Sequence, residues 1–246
     1  MRKKFNFNDA RDRFLFGSFW NDDDCRKLSV LKEADVLLAI NKAYIDMTPR
    51  TIVGLGLSED KIRKETKKSE EYKALVTKKS ELINELKKNL AQMIVKEVFD
   101  KEKFDDTIHK NLCDNFIKDF KEKIQQLNNE INKIKESDNK IITITENKIT
   151  YGKAQKIVNM AMKYLYFFDD ADDYVETVFN NCHMAIDEYI MKFFDDKGTK
   201  RSCSSWSNFD YEKYEKYREA INKYCKGDGK IPFFAEFEYW NKGKAL

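Results

Sequence analysis

The sequence predicts a mainly α-helical protein, on three observations. Only two prolines and eight glycines interrupt its 246 residues, which favours long helices over a turn-rich β fold. Apolar side chains recur every three or four positions over long stretches, the spacing that places them on one face of a helix. The hydrophobic fraction of 41% and the aromatic fraction of 13% suffice for a packed core, although 36% of the residues are charged.

The first part of the chain predicts two helices. Asn8 is placed to cap a short helix that ends near Gly17. A longer helix follows the aspartates at 22–24, covers residues 25–47 and is stopped by Pro49. Its apolar residues at helical spacing are Leu28, Leu31, Leu38 and Ile45.

Residues 58–137 predict a long antiparallel helical hairpin. Each half is strongly charged and carries one narrow apolar stripe, as in a coiled coil. The stripe of the first half is Tyr72, Val76, Ile83, Leu86, Leu90 and Met93. The stripe of the second half is Phe104, Ile108, Leu112, Phe116, Phe120, Ile124, Leu127, Ile131 and Ile134. We expect this hairpin to be a separate arm, inserted in a helical body formed by residues 1–57 and 138–246.

A minor β element is expected near residues 141–150, where branched side chains flank a short polar turn. Thr150 is then placed to cap a central helix that runs to about Phe168. Apolar spacing predicts a further helix over residues 173–194.

The last part of the chain predicts one more helix and a docked end. Ser207 is placed as the N-cap of a helix that ends at Gly227. The segment 231–240 is too aromatic to stay in water, so we expect it to pack on the body.

Charge and cysteine content narrow the class of protein. The 46 basic and 43 acidic residues give a formal net charge of only +3, which is not the footprint of a protein that wraps duplex DNA. The Lys-, Asn- and Ile-rich composition is typical of AT-rich genomes and predicts a bacterial source. The five cysteines are odd in number and form no CxxC pair, and residues 1–10 are polar. We therefore expect reduced thiols, a cytoplasmic location and no membrane partner.

Recognisable motifs for phosphate, metal or acyl chemistry are absent. Gly54 and Gly56 lack the remainder of a phosphate-binding loop, and neither a nucleophile elbow nor HExxH occurs. The acidic clusters lie at predicted helix ends and lack the spacing of a calcium loop. We expect no cofactor and no bound metal.

A polar stripe on the central helix is the first candidate site. On a helix, Lys156, Asn159 and Lys163 fall on one line, and Gln155 lies beside them, while the rest of the circumference is apolar. Such a stripe faces either solvent or a site. We predict that these four residues form a contact surface for a partner.

The only two histidines, His109 and His183, are the weaker, catalytic candidates. His109 stands four residues before Cys113, and His183 four before Asp187, so two metal half-sites are conceivable, although packed histidines are the commoner outcome. Ribonucleases of the HEPN type carry an Arg a few residues before their His. Neither histidine has an Arg in the ten preceding residues, which removes the main reason for that assignment.

Two hypotheses of function follow. The favoured one is a non-enzymatic protein that binds a macromolecule, either a protein or a nucleic acid, or a second copy of itself through the hairpin. The alternative is a nucleic-acid-processing enzyme of defence or mobile elements, with His109 or His183 as acid–base. Convergence of a histidine with Asp, Lys and Asn in one cleft would favour the enzyme, and separately packed histidines would favour the binder.

Overall fold

The computed structural model describes residues 28–47, 70–138, 149–201 and 203–246. Within these ranges it contains seven α-helices and no strand, which confirms the mainly α-helical prediction. The helices are α1 (Glu33–Met47), α2 (Glu70–Ile94), α3 (Asp106–Asp138), α4 (Tyr151–Leu165), α5 (Glu188–Asp196), α6 (Tyr211–Gly227) and α7 (Pro232–Ala245). A π-helical turn, Val95–Phe99, continues α2. Short 3-10 turns cover Ala171–Tyr174, Phe179–Asn181 and Trp206–Asn208.

Two predicted elements fall where the structure gives no description. The helix expected after Asn8 lies outside the described residues. So does the β element expected near 141–150, apart from Ile149 and Thr150, which are in neither a helix nor a strand.

Helices α1 to α4 form a closed ring of contacts. Helix α1 packs on α2 and α4, and α3 packs on the same two helices. Between α2 and α3, Lys123 Nζ lies 2.6 Å from Glu85 Oε2. The predicted stripe residues Leu86, Leu90, Phe116 and Phe120 are all buried. Helices α2 and α3 contact each other, but they also pack on α1 and α4. These contacts do not show whether residues 58–137 can fold separately from the body, so the separate arm stays a prediction.

Helix α1 buries a different face from the one predicted. Leu31, Leu38 and Ile45 are 47%, 49% and 58% exposed. The buried face is offset from them and consists of Val36, Ala39, Ile40, Ala43, Tyr44 and Met47. The small alanine side chains on this face allow close approach of a neighbouring helix.

Helix α4 is enclosed on almost all sides. It packs on α1 and α3, and also on α6 and the turn at Trp206–Asn208. The Thr150 side chain accepts a hydrogen bond from the Lys153 amide, as expected of an N-cap. This central position explains why the α4 sequence is apolar around most of its circumference.

The helix predicted over residues 173–194 is wrong. Only Glu188–Asp196 is α-helical, and residues 182–187 are in no helix or strand. Asp187 starts α5 because its Oδ1 accepts the amides of Tyr189 and Ile190. The apolar spacing was misleading because Val178, Phe179 and Ile186 are buried without being part of an α-helix.

The C-terminal part differs in one detail. Asp210, rather than Ser207, caps α6 by accepting the Lys213 amide at 2.9 Å. Helix α6 ends at Gly227, as predicted. The aromatic end is docked as expected, since Phe233 and Tyr239 of α7 are buried.

Gly152 fixes the distance between α4 and the turn at Trp206–Asn208, and we predict that Gly152→Ala destabilises the fold. A Cβ atom there would lie 1.9 Å from the Trp206 carbonyl oxygen, so the backbone would have to shift. We expect a loss of about 1–3 kcal/mol in the free energy of unfolding, measured by urea denaturation.

Gly227→Ala is the matched control, because a Cβ atom at the end of α6 meets nothing within 4 Å. This change should leave stability equal or raise it by about 0.4–1 kcal/mol. Equal stability of the two variants would refute the close contact at Gly152.

Candidate functional site

The polar stripe of α4 faces the non-helical segment 182–187. Gln155 Nε2 donates to the carbonyl oxygens of Gly152 and Ile186, both at 2.9 Å. Its Oε1 accepts from the Ile186 amide at 3.3 Å and from Asn159 Nδ2 at 3.0 Å. All four hydrogen-bonding positions of this amide are used, so it replaces the partners that a helix or strand would have given Ile186.

Asn159 links the same segment to the first histidine. Its Nδ2 also donates to the Met184 carbonyl oxygen at 3.2 Å. Its Oδ1 lies 3.0 Å from His109 Nε2. One amide side chain thus connects the backbone of 182–187 with the interior of α3.

The two lysines of the stripe reach the segment through carboxylates. Lys156 Nζ lies 3.2 Å from Asp187 Oδ2, which also accepts the indole N–H of Trp240 at 3.0 Å. Lys163 Nζ donates to Glu236 Oε1 of α7 at 2.5 Å. Glu236 Oε2 accepts the Ala185 amide at 2.7 Å.

The stripe therefore lies inside the protein, which differs from the surface that the sequence predicted. Gln155, Asn159 and Lys163 are only 0%, 1% and 1% exposed, and Lys156 is half-buried. Buried polar groups need partners, and the chain supplies them from its own segment 182–187 and from α7. Any role of these residues toward another molecule stays a prediction.

The two histidines converge, although they lie on distant segments. The ring centroids of His109 and His183 are 4.0 Å apart. The rings of Phe104, Tyr151 and Tyr214 surround the pair, with the Tyr214 ring stacked on His109 at 5.5 Å. Both histidines are buried, at 1% and 5% exposure.

One arrangement of protons satisfies both imidazoles in their neutral form. Asn159 Oδ1 is an acceptor, so His109 Nε2 donates to it, and Tyr151 Oη lies 3.4 Å from the other nitrogen. Asp106 Oδ1 accepts from His183 Nε2 at 2.9 Å, and the Tyr214 hydroxyl donates to His183 Nδ1 at 2.9 Å. Both nitrogens of His183 are therefore engaged.

Burial keeps this pair neutral. It lowers the pKa of His109 well below its usual value, and a charge on the neighbouring His183 would lower it further. Burial also lowers the pKa of His183, against the opposing effect of its hydrogen bond to Asp106. The same hydrogen bond, with the Arg218 charge, lowers the pKa of Asp106 to about 2.

Asp106 is the open end of the network. Its side chain is 61% exposed, whereas that of Arg218 is 12% exposed. Arg218 donates to Asp106 Oδ2 at 2.8 Å and to Glu215 Oε2 at 2.8 Å. The carboxylate thus bridges His183 and the guanidinium group at the protein surface.

Helix α6 separates two basic cavities. The first cavity, about 880 Å³, is lined by Thr199, Lys200, Arg201, Lys216, Tyr217, Ala220, Lys223, Tyr224, Gly227 and Asp228. The second cavity, about 470 Å³, is lined by Asp106, Asn180, Asn181, Cys182, His183, Arg218, Asn222, Lys226, Gly229, Lys230, Ile231 and Pro232. Each lining contains more basic than acidic residues.

The two conceivable metal half-sites, His109 with Cys113 and His183 with Asp187, come together only in part. Cys113 Sγ lies 3.7 Å from His109 Nε2. In the described part of the chain, no group of three or more His, Cys, Asp or Glu residues is arranged to hold a metal ion. Cys113, Cys182, Cys203 and Cys225 are free thiols, and Cys25 lies outside the described residues.

Comparison with known proteins assigns no function to this geometry. The chain matches no protein-family model, and no curated protein and no solved structure resembles it at a significant level. Across the residues described here, no helix has both the length and the apolar content needed to cross a lipid bilayer.

Three residues of the histidine network were missed by sequence reasoning. In the sequence, Asp106 is an acidic residue about one helical turn before His109, and nothing there indicates a contact with His183. Tyr214 and Arg218 lie in α6, more than a hundred positions from Asp106, in a stretch whose alternating charges indicate a solvated helix. The sequence holds no signal for their proximity, because packing alone creates it.

We predict that stability falls as the pH drops below about 6.5, the usual pKa of histidine. Both histidines have a lowered pKa in the folded chain, so the unfolded chain binds protons that the folded chain excludes. The expected slope is at most about 1.4 kcal/mol per pH unit for each histidine. Urea denaturation between about pH 6.5 and 5 measures it, since carboxylates titrate mainly below this window.

Because His109 and His183 are the only histidines in the chain, they account for most of the slope in this window. As a second readout, the Cε1 proton signals of the folded protein should not titrate near pH 6.5. Titration of both rings at that pH, with constant stability, would contradict the buried neutral pair.

Proposed function

We propose that the protein binds a macromolecule, and that this partner is a single-stranded nucleic acid that lies along α6. The observation that carries the proposal is the pair of basic cavities, one on each side of this helix. Four lysines in their linings have no ion pair with any described residue, namely Lys200, Lys216, Lys223 and Lys226. All four are exposed.

Positive charge without an internal partner is available to phosphate groups. Lys216 and Lys223 are seven residues apart on one face of α6, which places them about 10 Å apart along its axis. Lys226 points to the second cavity together with Arg218. Binding of phosphates by such residues releases counterions and provides most of the affinity of non-specific complexes.

The other lining residues suit single strands better than duplexes. Tyr224, which is partly exposed, lines the first cavity, and an aromatic ring offers stacking to an unpaired base. Asn180, Asn181 and Asn222 line the second, and amide side chains hydrogen-bond base edges and sugars. A net charge of +3 argues against a large duplex surface, whereas two local cavities fit a few nucleotides.

A cytoplasmic, bacterial setting is part of this proposal. It is supported by the unpaired thiols among the described cysteines and by the composition of the chain. A protein partner, or a second copy of the chain at residues 58–137, is the competing version of the same binding function.

The double variant Lys216→Glu, Lys223→Glu should weaken binding to single-stranded RNA by about tenfold or more. The reason is the loss of two phosphate contacts and their replacement by repulsion. The slope of log affinity against log salt concentration should fall in magnitude by about 1.4, which is about 0.7 for each contact. Fluorescence anisotropy over a salt series measures both quantities.

Lys88→Glu, Lys121→Glu is the matched control, with the same change in net charge at exposed positions of α2 and α3. It should bind RNA almost as tightly as the unmodified chain. Equal losses in both double variants would show a general charge effect, and absence of RNA binding by the unmodified chain would rule the proposal out.

The alternative function, strand cleavage with a histidine as acid–base, is favoured by one observation. His183 converges with Asp106 and Arg218 at the wall of the second cavity. It ranks second because both nitrogens of His183 are engaged, and His109 is enclosed. Cleavage of end-labelled RNA that disappears in His183→Gln would favour this alternative, and intact RNA after prolonged incubation would exclude it.

A further inference from the structure

Asp106 occupies the place that an anionic ligand would take in the second cavity. One of its oxygens accepts from His183 Nε2 and the other accepts from Arg218, each at 2.8–2.9 Å. Both donors come from other segments of the chain and are themselves mostly buried, while Asp106 is 61% exposed. The donors are therefore fixed, and the acceptor between them is the group that is free to leave.

Tyr214 and Glu215 fix the orientation of the two donors, His183 and Arg218. Tyr214 donates to His183 Nδ1, which leaves the N–H of Nε2 pointing outward. Glu215 binds the Arg218 guanidinium through Nε and a terminal nitrogen at 3.0 and 2.8 Å. Rotation of Asp106 away would leave an N–H donor and a guanidinium directed at the same point, a geometry that binds oxyanions.

The surroundings of this point are also suited to negative charge. Lys226 lines the same cavity without an ion pair in the described chain, and Asn222 lies on the same face of α6. Helix α3, which has 33 residues, begins at Asp106, so the positive end of its dipole lies beside this point. A carboxylate offers two oxygens, whereas a phosphate monoester offers three and carries up to two negative charges.

From this geometry we infer that His183 and Arg218 form a site for a phosphate monoester, and that Asp106 fills the site until the ligand displaces it. The inference rests on the proposed binding of nucleic acid, because the monoester is assigned to the end of a bound strand. Binding would exchange Asp106 for the terminal phosphate, with no covalent step.

Asp106→Asn tests the site, since an amide is a weaker competitor than a carboxylate. RNAs of about 12 nucleotides with a 5′-phosphate, a 3′-phosphate or neither are compared by fluorescence anisotropy. We expect the variant to bind one of the phosphorylated RNAs about tenfold more tightly than the unmodified chain does, the effect of one hydrogen bond to a charged group. Arg218→Lys keeps the charge but loses the planar fork, and it should abolish the preference for phosphorylated ends.

Asp114→Asn is the matched control, because it removes the same charge from α3 at an exposed ion pair with Lys110. Thermal melting confirms that each variant is folded. A gain in Asp106→Asn that is equal for phosphorylated and hydroxyl-ended RNA, or equal to the gain in Asp114→Asn, would overturn the inference.

Titration with inorganic phosphate and with a nucleoside monophosphate separates this inference from the proposed function. If no RNA binds at all, tighter binding of these small ligands by Asp106→Asn still supports the site, and unchanged binding refutes it. If free phosphate binds as tightly as a phosphorylated strand, the site takes phosphate itself and the assignment to a strand end is wrong.

Discussion

The hydrogen bonds between the buried face of α4 and the backbone of residues 182–187 are the constraint on which the rest of the structure depends. A segment without helical or strand partners cannot be buried unless side chains satisfy its amides and carbonyls. Gln155 and Asn159 do so directly, and Glu236 does so at Ala185. The lysines of the stripe neutralise the carboxylates that complete this arrangement. Breaking one member would leave buried polar groups unsatisfied, which is costly in a low-dielectric interior.

This constraint also positions the candidate site. Because residues 182–187 are held against α4, His183 is presented between α3 and α6, where it meets Asp106 and Tyr214. Asn159 serves both sides, since the same side chain that binds Met184 also binds His109. The interior network therefore ends at Asp106, on the wall of the second cavity. The buried polar residues therefore determine the geometry of the candidate site at the surface.

Much of the fold was predictable from local pattern, and the site was not. Features that depend on neighbouring residues could be predicted from the sequence. They include most of the helices, the cap at Thr150 and the end of α6 at Gly227. The apolar spacing of residues 173–194 is compatible with burial as well as with a helix, and before Glu188 most of the apolar residues are buried without forming an α-helix. The stripe on α4 was recognisable as unusual, but its partner is another part of the chain. Spacing on one helix cannot distinguish a partner inside the protein from one outside it. Asp106, His183 and Arg218 come from three distant segments, and only packing brings them together.

Native-state hydrogen exchange at the amides of Ala185 and Ile186 tests the central claim most directly. Their acceptors are the side chains of Glu236 and Gln155, so their protection depends on the buried stripe. The account predicts that both amides exchange only through global unfolding, with the same urea dependence as the core amides of α4. Fast exchange of these two amides, independent of urea and typical of a solvent-exposed loop, would contradict it.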